Sequence, residues 1–202
     1  MNSDKKKYKN NIISFSGRKE SGKTELANIC TEFGYEKKSF ATALKELVRD
    51  ILGFDSIEDL NRMKLMHVGV SLDSSKISKI SEKTGIEYEF IDEVGKKITE
   101  DSTGRDWLQI IGTDIIRAKN PDWHVNKTLE TIQEGHKYVF DDTRFENELK
   151  ALRNIGAECW FIIRNKTDNI SNHISETSLS YQDFNYNVIV NNITLETFRK
   201  RW

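Results

Sequence analysis

The stretch Gly17-Arg18-Lys19-Glu20-Ser21-Gly22-Lys23-Thr24 constrains this chain more than any other part of it. It fits G-x-x-x-x-G-K-[ST] in full, and its surroundings fit as well. Asn11–Ser16 before it reads as a strand, with Ile12, Ile13 and Phe15 apolar. Lys23–Phe33 after it reads as a helix, with Leu26, Ile29, Cys30 and Phe33 at helical spacing and Gly34 placed to end it. Such a strand–loop–helix unit predicts a phosphate-binding loop. Gly17 and Gly22 allow backbone conformations closed to other residues, so the chain can approach oxygen closely. Successive N–H groups and the helix N-terminus form an anion nest. Lys23 sets a point charge on the β- and γ-phosphates. The Thr24 hydroxyl is a hard oxygen ligand suited to Mg2+. Lys19 and Ser21 belong to the same stretch and Glu25 directly follows it, and all three are expected at the nucleotide. The loop predicts a bound nucleoside triphosphate and leaves the phosphate acceptor open.

Beyond the loop, strand-like and helix-like runs alternate, which predicts an α/β fold with a mainly parallel sheet flanked by helices. Helices are expected over Ala43–Ile51, Gly104–Ala118, Trp123–Gln133, Glu146–Asn154 and Thr194–Trp202, and strands over Tyr138–Asp142, Cys159–Ile163 and Val188–Val190. Pro121 disfavours continuation of the Gly104–Ala118 helix. The stretch Arg62–Asp101 is rich in Ser, Lys and Glu with a weak apolar pattern, and reads as an insertion or mobile lid over the core. One domain over 11–202, carrying that insertion at about 62–101, follows a solvated basic tail over 1–10.

Composition excludes several classes. With 37% hydrophobic and 31% charged residues and a net charge of -1, the chain is globular rather than disordered. No apolar run approaches the ~20 residues needed to cross a bilayer, so no membrane partner is expected. Met1–Asn10 carries Lys5, Lys6, Lys7 and Lys9 but lacks the apolar region of a signal peptide. The near-neutral balance gives no support to a nucleic-acid partner. Cys30 and Cys159 lack C-x-x-C spacing and read as small core residues in a reducing compartment. The four histidines stand singly, so no metal cluster is visible. The expected location is cytoplasmic. The Lys-, Asn- and Ile-rich composition suggests an AT-rich genome, bacterial or viral, with a host cytoplasm in the viral case. A homodimer is neither required nor excluded.

Tyr138-Val139-Phe140-Asp141-Asp142 is an apolar run ending in two acids. In loop proteins of this kind a strand-end aspartate holds Mg2+ directly or through water. Successive strand side chains alternate, so Asp141 and Asp142 cannot both face one site. Asp142 is the favoured ligand.

These residues and several others resemble the phage-type deoxynucleoside monophosphate kinases. Asp142-Thr143-Arg144-Phe145-Glu146-Asn147-Glu148 is similar to that family's D-x-R-F-x-N-E signature. Phe40-Ala41-x-x-Leu44-Lys45 resembles its segment after the loop helix. Arg105-x-x-Leu108-Gln109-x-x-Gly112-Thr113-Asp114-x-x-Arg117 resembles its central helix. His173-x-Ser175-Glu176 and Phe184-Asn185-Tyr186-x-Val188-Ile189-x-Asn191-Asn192 resemble its closing segments. The match runs over about 12–200 apart from the insertion. The family often has aspartate where Thr24 and Asn185 stand. The resemblance implies a P-loop nucleotide kinase fold with a lid-like insertion, ATP and Mg2+ as cofactors, and a deoxynucleoside monophosphate as substrate.

A kinase of this type must hold two polyanions and stabilise charge on the moving phosphoryl group, so arginines beyond the loop are required. The central helix carries Arg105 and Arg117, with Gln109 on the face of Arg105 and Arg117 roughly 80° further round. By resemblance, Arg105, Gln109 and Arg117 serve the acceptor nucleotide, joined by Lys45, Asp114 and Trp123, while Lys23, Asp142 and Arg144 carry the transfer. Trp160 reads as core, and Trp123 as either core or stacking platform. Animal-type phosphomevalonate kinases look like distant relatives, which keeps another phosphorylated acceptor open. Asn165-Lys166-Thr167-Asp168 spells the guanine-reading N-K-x-D, but Asp142 lacks the D-x-x-G of a GTPase. His173 with Ser175 and Glu176 lacks the nucleophile elbow of a hydrolase.

Overall fold

A computed structural model describes residues 11–164, 179–184, 187–192 and 197. The expected tail over 1–10, most of the expected helix Thr194–Trp202 and the segments 165–178 and 185–186 lie outside the described residues. In chain order the structure has β1 (Ile12–Gly17), α1 (Lys23–Glu32), β2 (Glu36–Lys38), α2 (Thr42–Leu52), α3 (Ile57–Arg62), α4 (Ser74–Thr84), α5 (Tyr88–Gly95), α6 (Gly104–Gln109), α7 (Trp123–Leu129), β3 (Tyr138–Phe140), α8 (Glu146–Asn154), β4 (Glu158–Ile163) and β5 (Val188–Val190). Two compact units result, one from Met1–Phe40 with Thr128–Trp202, the other from Ala41–Lys127.

The first unit is built on a five-stranded parallel sheet in the order β2-β3-β1-β4-β5. The expected α/β architecture is present. β1 lies at the centre, with Ile12 opposite Tyr138 on one side and Phe15 opposite Trp160 on the other. Phe15, Leu26, Ala27, Val139, Ile162 and Ile189 form a buried cluster that seats α1 on the sheet. Ser14 and Ser16 alternate with Phe15 along β1 and are also fully buried. Their hydroxyls are satisfied by Thr143: Ser14 Oγ and Thr143 Oγ1 share a hydrogen bond of 2.8 Å, and Ser16 Oγ donates to the Thr143 carbonyl at 2.9 Å. Cys159 is buried and Cys30 partly so, and neither forms a disulfide. Burial pushes the Cys159 thiol up to about 11, so it stays protonated at neutral pH.

Several expected boundaries move by one residue, and two move further. β3 ends at Phe140 rather than Asp142, because its backbone pairing with β1 and β2 stops there. α7 ends at Leu129 rather than Gln133, where the Thr131 N–H and hydroxyl both turn back to the Thr128 carbonyl. β2 was not anticipated. Its Glu-Lys-Lys sequence is that of a short charged edge strand, which carries little hydrophobic signal.

The second unit is helical. Its core joins Leu44, Val48, Leu60, Trp107, Ile111 and Ile115 to Ile77, Ile80, Ile86, Ile91 and Ile98. The last five come from the stretch read as a weakly patterned insertion. That stretch, read as an insertion or mobile lid, holds all of α4 and α5 and contributes to this core. Few apolar residues are needed because each isoleucine is almost fully buried. Caps mark the helix starts: Asp73 accepts from the Lys76 N–H at 2.9 Å, and Ser56 from the Asp59 N–H at 3.1 Å. Among the described residues no helix is long and apolar enough to cross a membrane.

The predicted helix Gly104–Ala118 is continuous but not uniform. Its first part, α6, is α-helical, and Ile110–Arg117 is π-helical. A π turn leaves carbonyls displaced from ordinary α-helical partners. The Gly112 carbonyl meets His124 Nε2 at 3.3 Å. Gly112 also gives Leu44 its space, since a Cβ there would stand 2.4 Å from Leu44 Cδ2.

Candidate active site

The loop joins β1 to α1. Gly17 closes β1 with φ 139°, and a Cβ there would stand 2.4 Å from the Ile162 carbonyl oxygen and 2.9 Å from Ser21 Oγ. Only glycine lets the loop pass β4 this closely. Gly22, at φ 106°, is the N-cap of α1 and offers no side-chain cap to the first-turn N–H groups. Those donors, together with the helix dipole, make this end of α1 suited to an anion. Lys23 is largely buried, and its Nζ donates to the carbonyls of Gly17 at 2.7 Å and Arg18 at 2.6 Å. Its charge is thus held at the loop. Ser21 is buried, whereas Lys19 and Thr24 are exposed and Glu25 is half-buried. Replacing Gly17 with alanine is expected to push the loop off β4 and lower ATP affinity by at least about tenfold. Nucleotide titration calorimetry on the folded variant checks this.

The two acids that follow β3 take different partners. Asp141 pairs with Lys37 on β2 at 2.7 Å, and Asp142 Oδ2 accepts from Ser39 Oγ at 2.5 Å. The Ser14 and Ser16 bonds to Thr143 fix the next residue against β1. Glu148, buried in the first turn of α8, accepts from the N–H groups of Arg144 at 2.8 Å and Phe145 at 3.1 Å. The backbone on both sides of Asp142 and Arg144 is therefore fixed before any ligand arrives. The supporting residues Ser14, Ser16, Ser39 and Glu148 were not singled out for roles. The serine alternation with Phe15 in an otherwise apolar strand was the visible signal.

The remaining proposed residues lie in or beside the helical unit. Thr103 and Asp106 form a reciprocal cap at the start of α6, and the Thr103 hydrogen bonds hold the Asp106 carboxyl below its ordinary value. This cap fixes the first turn, from which Arg105 projects; Arg105 and Gln109 are both exposed. Asp114 pairs with Lys97 at 2.8 Å, and Arg117 is half-buried at the end of the π-helical segment. The α-helical estimate of Arg117 lying roughly 80° from Gln109 does not hold, because the intervening residues follow the wider π turn. Lys45 sits half-buried in the first turn of α2. Trp123 is 6% exposed and packs in the hydrophobic core edge-on to His124. Its indole N–H is buried without a hydrogen-bond partner among the described residues, as is that of Trp107.

Among the described residues there is no group of three or more His, Cys, Asp or Glu able to hold a metal ion. The motifs His173-x-Ser175-Glu176 and Asn165-Lys166-Thr167-Asp168, and Asn185 with Tyr186, lie outside the described residues. The family model described as deoxynucleotide monophosphate kinase matches residues 48–201. The loop at 17–24 lies outside that match, so the two observations are independent. No curated protein matches the chain.

Proposed function

The chain belongs to the deoxynucleotide monophosphate kinase family, and from that premise we propose that it transfers the γ-phosphate of ATP to a deoxynucleoside monophosphate. The observation that supports this most is a complete phosphate loop at the carboxyl end of the central parallel strand, where open α/β sheets bind ligands.

The loop N–H groups and Lys23 hold the donor phosphates. Glycine at 17 leaves the close approach that a side chain would fill. The donor set of the Thr24 hydroxyl and Asp142 carboxylate, all hard oxygen, fits Mg2+. Bound there, Mg2+ supplies charge neutralisation on the phosphates. Asp142 is oriented by Ser39, and Arg144 is the proposed stabiliser of the moving phosphoryl group. Arg105, Gln109, Asp114, Arg117 and Lys45 are the proposed acceptor-binding groups, whereas Trp123 packs in the hydrophobic core. Chemically, an acceptor phosphate oxygen bonds to the γ-phosphorus while the bond to the β–γ bridging oxygen breaks, and ADP leaves. No general base is needed, since a phosphate monoester is already largely dianionic at neutral pH.

An ADP-release assay with Mg2+-ATP against the four deoxynucleoside monophosphates, their ribo forms and phosphomevalonate tests this reading. Release stimulated by one or more deoxynucleotides is expected. Stimulation by phosphomevalonate alone, or by no acceptor, contradicts it.

A further inference from the structure

An anion nest works only if its N–H groups turn inward, and the carbonyls that then turn away must find other partners. Five of the loop's carbonyls have identified donors. Those of Gly17 and Arg18 accept from Lys23, and that of Arg18 also from the Ser21 N–H at 3.2 Å. The Gly22 carbonyl accepts from the Leu26 N–H as α1 begins. Between them, the Glu20 carbonyl accepts from Arg164 Nη1 at 3.1 Å and the Ser21 carbonyl from Asn191 Nδ2 at 2.8 Å. These last two donors stand just after β4 and just after β5, far away in sequence.

We propose that Asn191 and Arg164 are positioning residues for the donor nucleotide, pinning the Ser21 and Glu20 carbonyls so that the loop's N–H groups stay turned toward the phosphates. This rests on the kinase reading above.

Asn191 carries the stronger case. It is almost fully buried, and its own N–H is anchored to the Ile163 carbonyl of β4 at 2.8 Å. Its Nδ2 must be the atom facing Ser21, since a carbonyl can only accept. Its Oδ1 is buried without a hydrogen-bond partner among the described residues. A half-satisfied buried amide is costly, and an apolar residue would fill the site with less penalty. What the amide provides is the bond to the loop. Arg164 acts where the backbone is strained: Glu20, at φ 64°, is the one non-glycine residue with positive φ among the described residues. Such a conformation persists only where its surroundings over-determine it.

The test is ATP affinity by titration calorimetry, with KM for each substrate and thermal melting alongside, in the full chain and two variants. Asn191→Asp keeps the shape but removes the donor. It is expected to weaken ATP binding about tenfold and to leave the acceptor KM within about twofold. Lowering the pH to about 5 should recover part of the loss relative to wild type, because a neutral carboxyl can again donate. Arg164→Gln should raise the ATP KM about threefold with folding intact. If wild type binds ATP and a folded Asn191→Asp binds it equally well, or if both KM values rise together, the inference is overturned. Should Asn191→Asp fail to fold, an unchanged ATP KM in Arg164→Gln overturns it. If wild type binds no ATP, the kinase reading fails and this inference with it.

Discussion

Replacing Lys23 with alanine is expected to lower phosphoryl transfer by about two to three orders of magnitude in kcat, the scale seen when one preorganised charge stabiliser is removed. Lys23 is only 9% exposed and its ammonium is held by two loop carbonyls, so its charge is aimed rather than left in solvent. Alanine removes that charge and frees the Gly17 and Arg18 carbonyls. The effect should fall on the chemical step more than on acceptor KM, because charge on the phosphoryl group grows toward the transition state. Lys23→Arg should restore little, since a planar guanidinium does not replace a compact ammonium in a tight loop. Steady-state kinetics on both variants, with thermal melting to confirm folding, check this. A Lys23→Ala enzyme retaining more than about a tenth of wild-type kcat would remove the loop lysine from the reaction.

The second large effect concerns stability. Ile91→Ala in α5 is expected to cost about 2–5 kcal/mol, the usual range for deleting a fully buried isoleucine. Ile91 has no exposed surface and belongs to the same core as Trp107 and Ile115. Lys96→Ala, just beyond the end of α5 and mostly exposed, should change stability by less than about 0.5 kcal/mol. Urea unfolding of both variants separates them. Equal small effects would mean that the segment over 62–101 is not packed as described.

The parts that were legible carried strong local signals. The phosphate loop is written as consecutive residues, and β1, α1, α2 and α8 have regular apolar spacing. That Asp141 and Asp142 would not share a site was expected from strand alternation, and the two acids take different partners. The helices within 62–101 were not legible because their buried apolar residues, Ile77, Ile80, Ile86, Ile91 and Ile98, stand among lysines, serines and glutamates. The cap signal Asp73 was present there and marks α4, and Ser56-x-x-Asp59 just before the stretch marks α3. The π-helical turn at Ile110–Arg117 could not be read, because a π turn has the same residue preferences as the α-helix around it and differs only in hydrogen-bond register. The struts from Arg164 and Asn191 to the loop are equally hidden. Nothing in residues 20 and 21 points to positions 164 and 191, and only the order of β1, β4 and β5 brings them together.

The most direct test of the central claim follows the phosphate itself. The protein is incubated with Mg2+ and ATP labelled on its γ-phosphate, together with the four deoxynucleoside monophosphates, and the products are separated by chromatography. The account predicts label in a deoxynucleoside diphosphate, with unlabelled ADP formed in equal amount. Label that remains on ATP, or appears only as inorganic phosphate, would contradict it.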